Sequence, residues 1–121
     1  MPAPDGTRIM HAELKVGDSI VFVADEFPDR PGPKPLAPQS LGGTTASLHV
    51  YVPNVDAAFK RAVDAGAQVR MPVSDMFWGD RYGKVADPFG HEWGLGTHKE
   101  DLSSKEIAKR AQAFFAQTPT A

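Results

Sequence analysis

Residues 46–66 constrain the fold more than any other segment. Ala46–Val52 (ASLHVYV) alternates with a period of two, so Leu48, Val50 and Val52 point one way and Ser47, His49 and Tyr51 the other. Pro53 ends that strand, because it has no N–H to give to a ladder. Asn54 is a good helix N-cap. The apolar residues then change period: Val55, Ala58, Phe59, Ala62 and Val63 fall on one helical stripe, and Gly66 supplies the stop. The segment is predicted to be a strand running into an amphipathic helix.

Three more strands are predicted downstream, at Gln68–Val73, Tyr82–Ala86 and Glu92–His98. The loop Asp75–Asp80 between the first two is rich in aromatic residues. Asp87-Pro88-Phe89-Gly90 makes a tight turn between the last two. The order from Ala46 is therefore one βαβββ unit. On its last strand Trp93, Leu95 and Thr97 share one face, while Glu92, Gly94, Gly96 and His98 share the other.

Upstream, the pattern from Arg8 to Ala24 is β. Met10, Ala12, Leu14 and Val16 alternate with Ile9, His11, Glu13 and Lys15; Gly17-Asp18 turns the chain, and Ser19–Ala24 returns it as a hairpin. Residues 27–45 hold five prolines between Pro28 and Pro38, followed by Gly42-Gly43, and read as a linker or a lid. Residues 103–117 are predicted to be helical. Ser103 and Glu106 form a capping box, and Ile107, Ala111, Phe114 and Phe115 form the apolar stripe. We expect residues 1–121 to form a single domain of the α+β class.

Composition removes several kinds of function. With 121 residues and 41% hydrophobic content the chain can bury a core. It has no cysteine, which excludes disulfides, thiolate nucleophiles and cysteine-based zinc sites. The net charge is −2 with the two signs interspersed, so the basic footprint of a nucleic-acid binder is missing. No apolar run approaches the roughly 20 residues needed to span a bilayer. Residues 1–6 show no signal pattern, and a cytoplasmic location without a membrane or nucleic-acid partner is expected.

The βαβββ unit, ending in Asp87-Pro88-Phe89-Gly90-His91 before its last strand, resembles the vicinal-oxygen-chelate superfamily, the glyoxalase/bleomycin resistance/dioxygenase proteins. In detail it looks like the PhnB-like branch. The resemblance is carried by residues 10–14 (MHAEL) with 17–19 (GDS), by 47–52 (SLHVYV), by 78–81 (WGDR) and by 87–93 (DPFGHEW). In such proteins two βαβββ modules form a curved mixed sheet, with helices on the convex face and a small ligand in the concave one. The resemblance makes 46–102 a complete module and 8–26 the last two strands of a partial one, linked by 27–45; the strand, helix and strand that would precede the hairpin are not matched. A lone hairpin leaves ladder groups unpaired at its edges, so a homodimer or strand-exchanged assembly is expected. A shortened chain, or a partial module that associates with another chain, would account for the same pattern.

Metal-dependent members of that superfamily draw one ligand from the first strand of each module and a carboxylate from the last. The resemblance places His49 at a first-strand position, but puts Gly94 and Phe22 where carboxylates would stand. A divalent site needs three or four nitrogen or oxygen donors. His49 is thus open to three readings: a metal ligand, a hydrogen-bonding or general-base residue of a pocket, or a structural histidine. His11 and Glu13, on one strand face, are either replacement donors from a second chain or a surface pair. Phe22, Phe77 and Trp78 would wall a pocket for a flat ligand, or fill the core or a dimer seam. Tyr51 shares the face of His49, and Arg81 either anchors a polar ligand group or pins its loop. The expected function is binding of a small, planar or apolar molecule in a concave pocket, with no cofactor. The alternative is a metal-dependent lyase or isomerase of the glyoxalase type, which would require a divalent ion.

Overall fold

The structure, a computed structural model, describes residues 1–117. The last residues of the span expected to be one domain, 118–121, lie outside the described part. The chain divides into two compact units, Met1–Gly42 and Gly43–Ala121. The division falls at the end of the proline-rich segment.

In the first unit, β1 (Ala12–Val16) and β2 (Ser19–Val23) pair antiparallel, from Ala12↔Val23 to Val16↔Ser19. The two-residue turn between them has Gly17 at φ 60°, the left-handed conformation that glycine adopts without penalty. Residues 9–11, which fit the alternation, stand outside β1. The backbone N–H of Ile9 donates to the Asp25 carboxylate at 2.6 Å, and the amino terminus donates to the His11 carbonyl at 2.7 Å. The segment read as a linker contains a one-turn helix, α1 (Pro38–Leu41). Glu26 fixes its start by accepting from the Ala37 N–H and the Ser40 hydroxyl.

The second unit follows the predicted order: β3 (Ser47–Tyr51), α2 (Val55–Asp64), β4 (Gln68–Asp75), β5 (Asp80–Ala86), β6 (Glu92–His98) and α3 (Ser104–Gln117). The sheet order is β3-β6-β5-β4, with β3 parallel to β6 and the other pairs antiparallel. Pro72 is tolerated because β4 is an edge strand. The Asn54 side chain accepts from the Ala57 N–H at 3.2 Å, giving α2 its cap. Ser103 does the same for α3 through the Glu106 N–H at 3.1 Å.

The core of this unit lies along β5, where Tyr82, Val85 and Ala86 are buried. Helix α2 covers one face of the sheet. Its Val55 is 1% exposed, and a Cβ at Gly83 would come within 2.8 Å of Phe59. The Thr97 hydroxyl joins helix and sheet on that face, accepting from the Val55 N–H and donating to the Val52 carbonyl.

One boundary differs from the prediction in a way that matters for the site. Strand β5 begins at Asp80 rather than Tyr82, and β4 runs on to Asp75 rather than ending at Val73. The aromatic segment thus becomes a short connection, closed by the Met76 N–H donating to the Asp80 carbonyl. Gly79 is required in it. Its φ is 98°, and a Cβ there would lie 2.5 Å from the Glu100 carbonyl oxygen.

Candidate functional site

The register of the sheet arranges the face turned away from α2 in rows. His49, Gly94 and Lys84 form one row; Tyr51, Gly96 and Tyr82 form the next; His98 and Asp80 form a third. Two of the positions on β6 carry no side chain, so the face has a glycine floor between the polar and aromatic groups of β3 and β5.

Asp80 organises one end of this face. Its side chain is 3% exposed as a residue, yet it accepts from three donors: the Tyr51 hydroxyl at 2.8 Å, the Trp78 indole N–H at 2.9 Å, and His98 Nδ1 at 3.0 Å. Burial alone would push the Asp80 carboxyl up, since it penalises the charged form. The hydrogen bonds from His98, Tyr51 and Trp78 outweigh it and hold the group below the usual carboxylate range. The second nitrogen of His98 lies 2.6 Å from Asp101, and this contact, with the one to Asp80, raises the imidazole above its ordinary value. The Tyr51 phenol is pushed up by its bond to Asp80 and by burial.

The middle of the face belongs to His49 and Tyr82. Their rings stack, 5.3 Å apart and 11° from parallel, while the Tyr51 ring, two residues further along β3, lies 4.9 Å from His49. Trp78 meets Tyr82 edge-on at 5.5 Å. The Tyr82 ring leans across β6: a Cβ at Gly94 would come within 2.5 Å of its hydroxyl oxygen.

Of the residues expected in a site, the structure brings His49, Tyr51 and Trp78 to this face. It does not bring Arg81 there. Arg81 alternates to the side of α2, where its guanidinium pairs with Asp56 at 2.8 Å and Asp75 at 3.2 Å, which hold it above its already high ordinary value. Phe77 packs at 5.3 and 5.6 Å against Phe114 and Phe115 of α3, so it anchors that helix as well as touching Trp78. Phe22 belongs to β2 in the first unit, 69% exposed, with its ring edge-on to His11 at 4.6 Å. His11 in turn contacts Glu13 at 3.1 Å, as a pair on one strand face. The residues that sequence reasoning passed over are Asp80 and Tyr82.

A cleft of about 540 Å³ opens in the first unit, beside Ala3, Met10, Phe27 and Arg30. Its Arg8 is already neutralised by Asp5 and Asp29 and stacks on Phe27 at 4.4 Å. Those contacts fold residues 1–30 on themselves. The sheet face of the second unit is the more developed site, because it holds a buried, charge-bearing network.

Comparison with known proteins agrees with this geometry. The model of the Glyoxalase/Bleomycin resistance protein/Dioxygenase superfamily matches residues 2–95. The chain belongs to that superfamily. It is 46% identical over 107 residues to the uncharacterized proteins Mb0911c of Mycobacterium bovis and Rv0887c of Mycobacterium tuberculosis. Those matches cover 88% of this chain, which spans 70% of the first protein's length and 62% of the second's. Among solved structures it is similar to protein PA1353 of Pseudomonas aeruginosa, with a TM-score of 0.61 and 26% identity over 83% of this chain and 71% of that one. It is also similar to TioX of Micromonospora sp. ML1, with a TM-score of 0.53 and 32% identity over 85% and 78% of the two chains.

Many proteins of this superfamily use a divalent metal, and the residues here do not fit one. The space above Gly94, where a ligating carboxylate would project, is filled by the Tyr82 phenol. Among the described residues no group of three or more histidine, aspartate or glutamate side chains is placed to hold an ion.

Proposed function

We propose that this chain binds a small, flat, largely apolar molecule against the open sheet face of its second unit, using ring stacking and a few fixed polar groups and no metal. The observation that carries this reading is the Asp80 network. A buried carboxylate that accepts from Tyr51 and Trp78 at once fixes two aromatic side chains before any ligand arrives, and a prearranged aromatic wall loses little freedom on binding. The stacked rings of His49 and Tyr82 lie over the glycines at 94 and 96, and a planar ligand would pack on those rings. A metal-dependent lyase or isomerase would need at least three such donors together, and among the described residues no group of that size is placed to hold an ion.

The test is a screen of flat aromatic compounds by two-dimensional NMR on the whole chain. Bound compounds are expected to shift the amides of Gly94 and Gly96, and Trp78→Ala is expected to weaken them about tenfold. Shifts confined to the first unit would move the site elsewhere. Conversion of a bound compound into product would add an activity that this reading does not contain.

We infer further that the chain works as an assembly of two copies. Among the described residues neither strand of the β1/β2 hairpin pairs with a third strand, while Ile20 and Phe22 are 59% and 69% exposed. A two-stranded ribbon with large apolar side chains in water is a poor end state. Light scattering at micromolar concentration is expected to give twice the chain mass. A monomer at that concentration would refute the assembly.

A further inference from the structure

Tyr82 is only 9% exposed, but no hydrogen bond to its hydroxyl forms among the described residues. Among the described residues no fully buried side-chain oxygen lacks a partner, so this hydroxyl keeps an opening to solvent. That opening is on the glycine floor: the oxygen stands over Gly94, in the row flanked by His49 on β3 and Lys84 on β5. Among the described residues the His49 imidazole likewise has ring contacts and no hydrogen bond, and its Nε2 lies 3.6 Å from where a Cβ at Gly96 would be. Lys84 is held only loosely, 3.9 Å from Glu92. A phenol whose ring is packed, whose hydroxyl meets solvent and which has no protein acceptor is free to donate its proton to a ligand in place of water.

Resting on the flat-ligand reading above, we propose that the Tyr82 hydroxyl is the group that reads the ligand's polar end, and that the ligand presents an acceptor oxygen on its ring system, as a ketone or phenolate does. The phenol donates to that oxygen from the floor, and His49 is placed beside it to supply a second donor from a ring N–H. Lys84, in the same row, favours an oxygen that carries negative charge. The ring system then extends toward Tyr51 and Trp78. The tyrosine thus takes the position of an absent acidic side chain with the opposite hydrogen-bonding sense: the family position that would offer an acceptor to a cation here offers a donor to an oxygen.

A matched pair of probes isolates the oxygen. 9-Fluorenone and fluorene share a flat tricyclic frame and differ in one carbonyl. Binding is read by the amide shifts of Gly94 and Gly96 in the intact chain, and by Trp78 fluorescence in a Trp93→Phe background. The wild type is expected to bind fluorenone about fivefold more tightly than fluorene, the range of one neutral hydrogen bond. Tyr82→Phe is expected to erase that preference by weakening fluorenone alone. The substitution removes one oxygen, and an unchanged unfolding midpoint or circular dichroism spectrum shows that the fold is kept. If both probes bind equally and Tyr82→Phe changes neither, the oxygen-reading role is overturned while the flat-ligand surface stands. If neither probe binds, the surface reading falls and takes this one with it.

Discussion

His98 places Nδ1 3.0 Å from an Asp80 oxygen and Nε2 2.6 Å from an Asp101 oxygen. A neutral imidazole has one N–H, so it satisfies only one of two carboxylates; the protonated ring satisfies both. The geometry therefore favours the charged form, in the same direction as the raised pKa of His98.

That pair sets a pH window for stability. The folded pKa of His98 lies above its ordinary value of 6.5, so its contribution is complete below 6.5 and is lost as pH rises through the higher, folded value. Asp80 works in the opposite sense. Its folded pKa lies below the ordinary 3.8, so its contribution is present above 3.8 and is lost as pH falls through the depressed value. The urea midpoint is expected to be highest between these limits. His98→Gln should flatten the alkaline decline, and an unchanged decline in that variant would assign it to other groups.

Asp80→Ala is expected to destabilise the chain by about 3 kcal/mol, because it strands the Tyr51 hydroxyl, the Trp78 indole N–H and the His98 ring without their common acceptor. Asp80→Asn keeps the shape and should cost about half as much. Chemical denaturation measures both. A loss for Asp80→Ala within the few tenths typical of surface changes would mean that the network forms without consequence.

Gly94→Ala should cost about 1–3 kcal/mol, since its Cβ would lie 2.5 Å from the Tyr82 hydroxyl and 2.9 Å from a ring carbon. Adding Tyr82→Phe removes the nearer contact and should restore part of that loss. The double-mutant cycle is the measurement, and strict additivity would show that the two side chains do not meet.

Arg81→Gln is expected to lower stability by about 1 kcal/mol or less, the usual worth of a partly exposed ion pair. It should leave the affinity for fluorenone and fluorene unchanged, because Arg81 faces α2. A large loss of affinity with no loss of stability would place Arg81 in the site after all.

The second unit was legible for a simple reason. The period-two run ending at Pro53, the Asn54 cap and the turn at residues 87–90 are local signals, and local chemistry decides them. His49 and Tyr51 could be assigned to the open face from alternation alone. Asp80 was hidden because Phe77 and Trp78 make the segment look like a loop, which shifts the start of β5 past it. Beginning the strand two positions earlier puts Asp80, Tyr82 and Lys84 on one face and sends Arg81 to the other. The lean of Tyr82 over Gly94 had no such signal, because it depends on which residues three different strands set side by side.

The placement of β6 between β3 and β5 has a consequence for how the chain acquires its working surface. Strands β4 and β5 are sequence neighbours and can zip locally, but β3 reaches the sheet only through β6, some forty residues later along the chain. A nascent polypeptide that has not yet extended past His98 has no row in which His49, Gly94 and Lys84 meet. The proposed ligand surface would therefore exist only once the chain has been made and folded through β6.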